Sequence, residues 1–260
     1  MNLELSIIGS GSKGNSIYVG SDCCRVLIDA GFSMKETTRR LDLIGVDICS
    51  IDAIMITHEH GDHTKGAGPI SRKHKIPVYS TPTTFRSEIK NKFHESIDVT
   101  PGELINLKGI KFNPFSVPHD ARNPVGYQIE YCNKHIGIVT DLGISTSLIE
   151  NRIKDLDLLI VESNHDYKML MTGKYPWVLK QRIKSNYGHL SNNACADLIK
   201  KVYSSKLKRI YLSHISEENN TYSKAYQVVL GEMEKYVEKD RILEILRIAR
   251  QEEPSAIIKI

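Results

Sequence analysis

The sequence predicts an α/β protein in which two sheets pack face to face with helices outside. Two observations carry that expectation. Short apolar runs alternate with amphipathic helical patterns along the whole chain, and strand signals occur in both halves. The 260 residues, 40% of them hydrophobic, suffice for a sizeable core, and that length fits one large α/β domain as well as two small ones. Repeats, low-complexity tracts and long linkers are absent from the sequence.

The elements follow in order. LELSII (3–8), SIYVG (16–20) and RVLIDA (25–30) read as consecutive strands split by turns. SMKE carries a Ser-x-x-Glu capping box, which starts a helix at Ser33. AIMIT (53–57) is a buried strand by composition, and IPVYS and IKFNPFSV are further strands. VGYQIEY and HIGIVTD form a hairpin pair across Cys132 to Lys134. LDLLIVES (156–163) and LKRIYLSH (207–214) are buried strands. Ala194, Leu198, Ile199 and Val202 share a helical face with Ser191 as N-cap. Tyr222, Ala225, Tyr226, Val229, Met233, Tyr236 and Val237 mark another amphipathic helix.

A formal net charge of +4 permits a polyanionic partner without requiring one. The five cysteines are odd in number, contain no CxxC and include the neighbours Cys23 and Cys24, so reduced thiols in a cytoplasmic protein are expected. The N-terminus lacks the pattern of a secretory signal, and no apolar run approaches the ~20 residues of a membrane helix.

The chemistry concentrates in THEHGDHTKG (57–66), directly after a predicted strand. Alternate side chains of an extended segment point the same way, so His58 and His60 can grip one ion. If the chain then turns, Asp62 and His63 face a neighbouring position. Imidazole and carboxylate together suit zinc, manganese or iron. The competing reading is a solvated, charged loop. Further ligands must come from afar, and His119, Asp141 and His214 each close an apolar run, where a loop can present them to a cleft. Any one alone is more often an ordinary strand-end residue, and all three together with the cluster favour the ligand reading.

With these motifs in order, LIDAG, THEHGDH, VPHD, VTDLG and LSHIS, the sequence resembles the metallo-β-lactamase superfamily over nearly its whole length. The resemblance implies a four-layer αβ/βα sandwich with two divalent metal ions at one sheet edge. It implies that His58, His60 and His119 hold one ion, that Asp62, His63 and His214 hold the other, and that Asp141 bridges. Asp29 matches an aspartate that orients ligands rather than binding metal. Zinc β-lactamases usually carry cysteine where Asp141 stands, and flavodiiron enzymes carry glutamate where His60 stands. Both departures point to a different hydrolase.

DLLIVESNHD and YGHLSNNACADLIKKV resemble paired motifs of ribonuclease Z-like phosphodiesterases, in which a glutamate supports a histidine. Here these are Glu162 and His189, although Val161 replaces the histidine that precedes the glutamate there. His189 lies two residues before Ser191, beside a helix N-terminus that favours phosphate, and is a candidate proton donor to a leaving oxygen. The alternative is a histidine packed under the helix. GSGSKGNS (9–16), HDARNPVGY, VESNHD, GHLSNN and HISEENN together resemble the YycJ (WalJ) family, described as metal-dependent 5′-to-3′ exonucleases acting on DNA. That resemblance makes Asp62, Glu162 and His189 candidate catalytic residues and Asn164, His165, Ser191 and Asn192 candidate substrate contacts. GSGSKGNS does not match a Walker loop; it is a tight turn whose Asn15 and Ser16 are candidate phosphate partners.

Before His189, Lys174, Lys180, Arg182 and Lys184 interleave with Tyr175, Trp177 and Tyr187. Cations can neutralise phosphates while aromatic faces stack unpaired bases, and an amphipathic helix with a solvated basic face is the bland alternative. SRKHK (71–75) and KLKR (206–209) read as solubilising charge. Only 72 residues separate Asp141 from His214, so the long β-CASP clamp of RNA-processing relatives is absent. The expectation is a dinuclear phosphodiesterase acting on nucleic acid, DNA with a free end. A small-substrate hydrolase (glyoxalase II-like or cyclic phosphodiesterase), a ribonuclease Z-like endonuclease and a nucleic-acid-binding protein with an idle metal site are the alternatives. Oligomeric state is not legible.

Overall fold

The computed structural model describes residues 3–85 and 92–260, whose strands form two seven-stranded mixed sheets. The first holds, in spatial order, β14 (Ile258–Lys259), β1 (Glu4–Gly9), β2 (Ser16–Gly20), β3 (Arg25–Ile28), β4 (Ala53–Met55), β5 (Val78–Ser80) and β6 (Ser96–Asp98). The second holds β13 (Leu246–Ile248), β12 (Arg209–Ser213), β11 (Leu158–Glu162), β10 (Lys134–Val139), β9 (Val125–Tyr131), β8 (Ile110–Ser116) and β7 (Ile105–Leu107). In each sheet the early strands pair antiparallel and the following ones pair parallel, from β3 to β6 and from β10 to β13.

Alternation along the strands explains the layers. Val26 and Ile28 point into the core between the sheets while Leu27 points outward; Leu158 and Ile160 point inward while Leu159 and Val161 point outward. The inner core joins residues of both sheets, such as Leu5, Val19 and Met55 with Phe112, Tyr127 and Ile138. Outside the first sheet, α1 (Met34–Leu43) and α3 (Ala67–His74) cover a second core through Leu41 and Ile70. Outside the second sheet, α4 (Ser147–Arg152), α7 (Asn192–Val202), α8 (Tyr222–Met233) and α9 (Lys239–Ile245) close a third. Three cores separate four layers, which is the αβ/βα sandwich expected from the sequence. Short helices α2 (Gly61–Thr64), α5 (Tyr167–Thr172) and α6 (Trp177–Ile183) lie in the connections. Among the described residues no helix is long and apolar enough to cross a membrane.

Local signals act as read, with instructive differences. Ser33 Oγ accepts from Glu36 N at 3.3 Å, yet the Glu36 carboxylate engages Arg39 and Arg40, whose guanidiniums bring it down to about 2 despite some burial. The β9–β10 hairpin pairs Tyr131 with Lys134, so its loop is the two residues Cys132 and Asn133, both at positive φ as a type I′ turn requires. Helix α8 ends at Met233, before Tyr236 and Val237, although Val237 still packs into the outer core. Strand β4 stops at Met55, two residues short of the expected 57, because Thr57 turns its amide and hydroxyl onto Asp29.

Candidate metal centre

The polar residues that follow strands β3, β4, β8, β10 and β12 converge. Asp29 and His214 sit immediately beyond β3 and β12, and Asp141 two residues beyond β10, with left-handed φ of 61°, 51° and 55° respectively. Such conformations cost about 1–3 kcal/mol each in non-glycine residues and persist where surrounding structure imposes them. They turn the chain away from the strand direction and leave these side chains buried together. Gly31 explains how the His-rich loop seats: a Cβ there would lie 1.7 Å from the backbone oxygen of Asp62. The close approach lets Ala30 N donate to His63 O at 2.8 Å and Asn15 N to Asp62 O at 2.7 Å.

In His58, His63, His119 and His214 one ring nitrogen is occupied from outside the cluster, which aims the other inward. His63 Nδ1 lies 2.7 Å from Asp29 Oδ2, and Asp29 also accepts from Thr57 N and Thr57 Oγ1. His119 Nδ1 donates to Gly188 O at 3.1 Å. His214 Nδ1 lies 2.7 Å from Glu162 Oε1, and His58 Nδ1 lies 3.0 Å from Thr57 Oγ1. The inward atoms crowd one another: His119 Nε2 is 3.3 Å from His60 Nδ1, His63 Nε2 is 3.2 Å from Asp141 Oδ2, and His214 Nε2 is 3.5 Å from Asp62 Oδ2. Donor atoms of His58, His60 and His119 lie within 4.8 Å of one another, as do those of Asp62, His63 and His214, and those of His58, His63 and Asp141.

Electrostatics follow from this crowding. Burial would raise the Asp141 carboxyl, yet His214 and His63 hold it well below the usual range. Burial would lower His63, but Asp141 and Asp29 raise it well above an ordinary imidazole. His214 behaves likewise through Asp141, Asp62 and Glu162. Burial, then the neighbouring His63, pushes His58 well below its usual value.

The donor set fits divalent ions. His58 Nε2 and Asp141 Oδ2 are buried without a hydrogen-bond partner, and the His63 nitrogen 3.2 Å from Asp141 Oδ2 is not aligned as a donor. Unpartnered buried acceptors are costly, about 1–3 kcal/mol each, and a cation satisfies them. In the metal-free protein the protons drawn to His63 and His214 compensate in part, so metal and protons compete for these atoms.

A cleft of about 310 Å³ opens over the cluster, lined by His60, Asp62, Asp141, His189 and His214 on one side and by Tyr175, Leu179, Arg182 and Ile183 on the other. The Nδ1 of His189 is 2.8 Å from Glu162 Oε1, and its ring is partly exposed in the cleft. Burial would lower this imidazole, but the Glu162 charge raises it. Glu162 is fully buried, accepts from Leu190 N at 2.9 Å and Leu142 N at 3.3 Å through Oε2, and is brought down to about 2 by His189 and His214 against its burial.

Glu162 has no exposed surface and lies against His189 and His214, in position to orient their rings. Other expectations are corrected. Ser16 is fully buried and donates to Asp29 O at 2.8 Å. Ser191 Oγ caps α7 by accepting from Ala194 N at 3.2 Å, and buried Asn192 joins Ser163 and Asn220. Asn192 N donates to His165 O at 2.9 Å, so with Ala194 N on Ser191 Oγ two of the first-turn amides of α7 are already engaged. His165 is buried, its Nδ1 unpartnered, and burial brings it down to about 4. Asn15 faces the cluster, not a ligand: its Nδ2 is 3.2 Å from Asp62 Oδ2 and 3.1 Å from His63 Nε2. Asn164 alone of the substrate candidates lines the cleft, with Nδ2 donating to His214 O at 2.9 Å. Lys180 is buried, donating to Met171 O and Gly173 O, while Trp177 and Tyr187 are exposed. Sequence reasoning missed Asp120, which holds the Arg182 guanidinium in the cleft and lies 3.4 Å from His119 Nε2. Its signal was its position in VPHD beside a candidate ligand.

Residues 24–215 match the family described as Beta-lactamase superfamily domain. The chain is 36% identical over 228 residues to Exodeoxyribonuclease YycJ of Bacillus anthracis, covering 85% of each. It is 34% identical over 239 residues to Exodeoxyribonuclease WalJ of Streptococcus pneumoniae, covering 90% of this chain and 89% of that protein. In fold it is similar to the metallo-beta-lactamase fold protein YhfI from Bacillus subtilis, with a TM-score of 0.74, 15% identity and all of both chains covered.

Proposed function

The chain belongs to the β-lactamase superfamily and, within it, to the YycJ/WalJ exodeoxyribonucleases, and on that premise we propose that it is a metal-dependent hydrolase that removes nucleotides from DNA. The observation that carries the reading is His189, held at 2.8 Å by Glu162 at the mouth of a donor cluster rich in histidine and aspartate. A histidine so placed can carry a proton to the leaving oxygen of a phosphodiester.

In this reading His58, His60 and His119 would hold one ion, Asp62, His63 and His214 a second, and Asp141 would serve both. When bound, divalent ions of zinc, manganese or iron supply Lewis acidity toward the phosphodiester and acidify water. The protein supplies the rest. Asp29, Glu162 and Gly188 O fix the ring tautomers, which leaves Nε2 of His63, His214 and His119 as the atoms that would hold the ions. Asn15 steadies the Asp62 carboxylate from the glycine-rich loop. His189 keeps Nδ1–H on Glu162 and presents Nε2 to the cleft, where it can carry a proton to the leaving oxygen. Arg182 offers positive charge to the phosphate, with Asp120 holding its guanidinium in place.

The reading takes residues 1–260 as one domain in a cytoplasmic setting, with DNA bearing a free end as substrate and the 5′-to-3′ polarity that the family resemblance implies. Metal-reconstituted protein incubated with end-labelled single- and double-stranded DNA and RNA, a glutathione thioester and a cyclic nucleotide tests it. Metal-dependent release of nucleotides from DNA supports the reading. Hydrolysis confined to the thioester or the cyclic nucleotide overturns it.

A further inference from the structure

A second groove, of about 570 Å³, adjoins the metal cleft. The two share a thin wall. His60 and Asp120 line the cleft, whereas Glu59 and Arg122, one and two residues away, line the groove. The wall is fixed by the Glu59 carboxylate, which accepts from Arg122 N at 2.9 and 3.1 Å. A chain lying in the cleft therefore needs to cross only this rim to enter the groove.

The groove has the chemistry of a strand path. Among the described residues four cations, Lys65, Arg72, Lys92 and Arg122, line it with one carboxylate, that of Glu59 at the rim. They come from three separate segments of the chain, which is why no basic run announced them, and one of them, Arg72, belongs to SRKHK. Phe85 and Phe93 also line it, with ring centroids 5.1 Å apart and Phe93 partly exposed. Cations beside an aromatic surface are the combination that binds unpaired nucleic acid, phosphates to the cations and bases to the rings. A duplex, whose bases are already stacked, gains nothing from the rings.

Resting on the exodeoxyribonuclease reading, we infer that this groove holds the single-stranded continuation of the DNA whose terminal phosphodiester lies in the metal cleft. The cleft then determines which bond is cut, and the groove determines how strongly a long strand is preferred over a dinucleotide. Arg72 also donates to Lys92 O at 2.6 Å, so it both presents charge and braces the groove wall.

The test uses the full chain, with Arg72→Ala, Lys92→Ala and Arg122→Ala. Arg72→Lys is a control that keeps the charge if loss of the brace disturbs folding. Binding of a fluorescent single-stranded oligonucleotide to chelated protein is followed by anisotropy across salt concentrations. Hydrolysis by metal-loaded protein is compared for a dinucleotide and a long oligonucleotide. Each alanine variant is expected to lower the slope of log K against log salt by about 0.7 per lost contact. Each should also raise KM for the long strand while leaving dinucleotide kinetics unchanged, with Arg72→Lys near wild type. Variants indistinguishable from wild type on the long strand overturn the inference and leave the exodeoxyribonuclease reading standing, as does an equal effect on dinucleotide and long strand. A wild-type protein that neither binds nor cuts any oligonucleotide overturns that reading and the inference with it.

Discussion

Glu162 Oε1 lies 2.8 Å from His189 Nδ1 and, through the same oxygen, 2.7 Å from His214 Nδ1. One buried carboxylate thus sets the tautomer of both the candidate proton donor and a candidate metal ligand. Glu162→Gln should therefore damage both. An amide nitrogen facing the rings forces each Nδ1 to accept, which moves the proton to Nε2 and blocks the cleft-facing lone pair. The reversed amide instead sets its nitrogen against the donors Leu142 N and Leu190 N. Metal affinity should fall about 10–100-fold, as it does when partners of ligating histidines are removed, alongside a loss of rate. Metal titration and steady-state kinetics on the variant check this; unchanged affinity would mean that Glu162 does not orient His214.

His189→Ala should retain the fold and the metal content, because His214 keeps Glu162. The rate should drop by about 10²–10⁴-fold, the usual contribution of a general acid. A rise in KM with kcat intact would instead make His189 a phosphate-gripping residue. Loss of metal would make it a ligand, an arrangement its proximity to Asp141, Glu162 and His214 permits.

Much of this site was legible because histidine and aspartate close several apolar runs of one chain and accompany a dense histidine cluster. His58, His60, Asp62, His63, His119, Asp141 and His214 all follow apolar runs, and only convergence in space had to be supplied. Strands β1–β3, the hairpin through Tyr131 and Lys134, and the caps Ser33 and Ser191 were readable because each rests on local chemistry. Burial was not local. Ser16, Lys180 and Asn192 are polar residues in polar stretches, yet tertiary packing turns each inward onto a specific internal partner. Strands as short as β6, β7, β13 and β14 carry too few residues for a period to show. The left-handed backbone at Asp141 and His214 has no sequence signature, since glycine is the residue that ordinarily announces it.

Asp141→Asn should strip metal from the whole cluster. Asparagine tolerates the φ of 55° at this position, so the change removes charge without adding strain. Elemental analysis should find well under the wild-type content for every ion. Full retention would contradict a shared carboxylate.

Chelated protein should be most stable near pH 6.5. The folded state lowers His58, His119 and His165, and raises His63, His189 and His214. Below the ordinary imidazole value of ~6.5 the unfolded chain takes up protons that the lowered group refuses, so stability falls as pH drops. Above it the raised group keeps protons that the unfolded chain has released, so stability falls as pH rises through their folded values. Metal binding requires neutral imidazoles, so the gap in Tm between loaded and chelated protein should widen from pH 6 upward, by about that linkage. A Tm of chelated protein that rises steadily through this range would contradict the assigned directions.

The central claim is hydrolysis from a free DNA end, and a comparison of linear and circular single-stranded DNA of the same sequence tests it most directly. With the metal-loaded protein the account predicts that the linear strand is degraded to mononucleotides and the circle stays intact. Cleavage of the circle at the rate of the linear strand, or no cleavage of either, would contradict it.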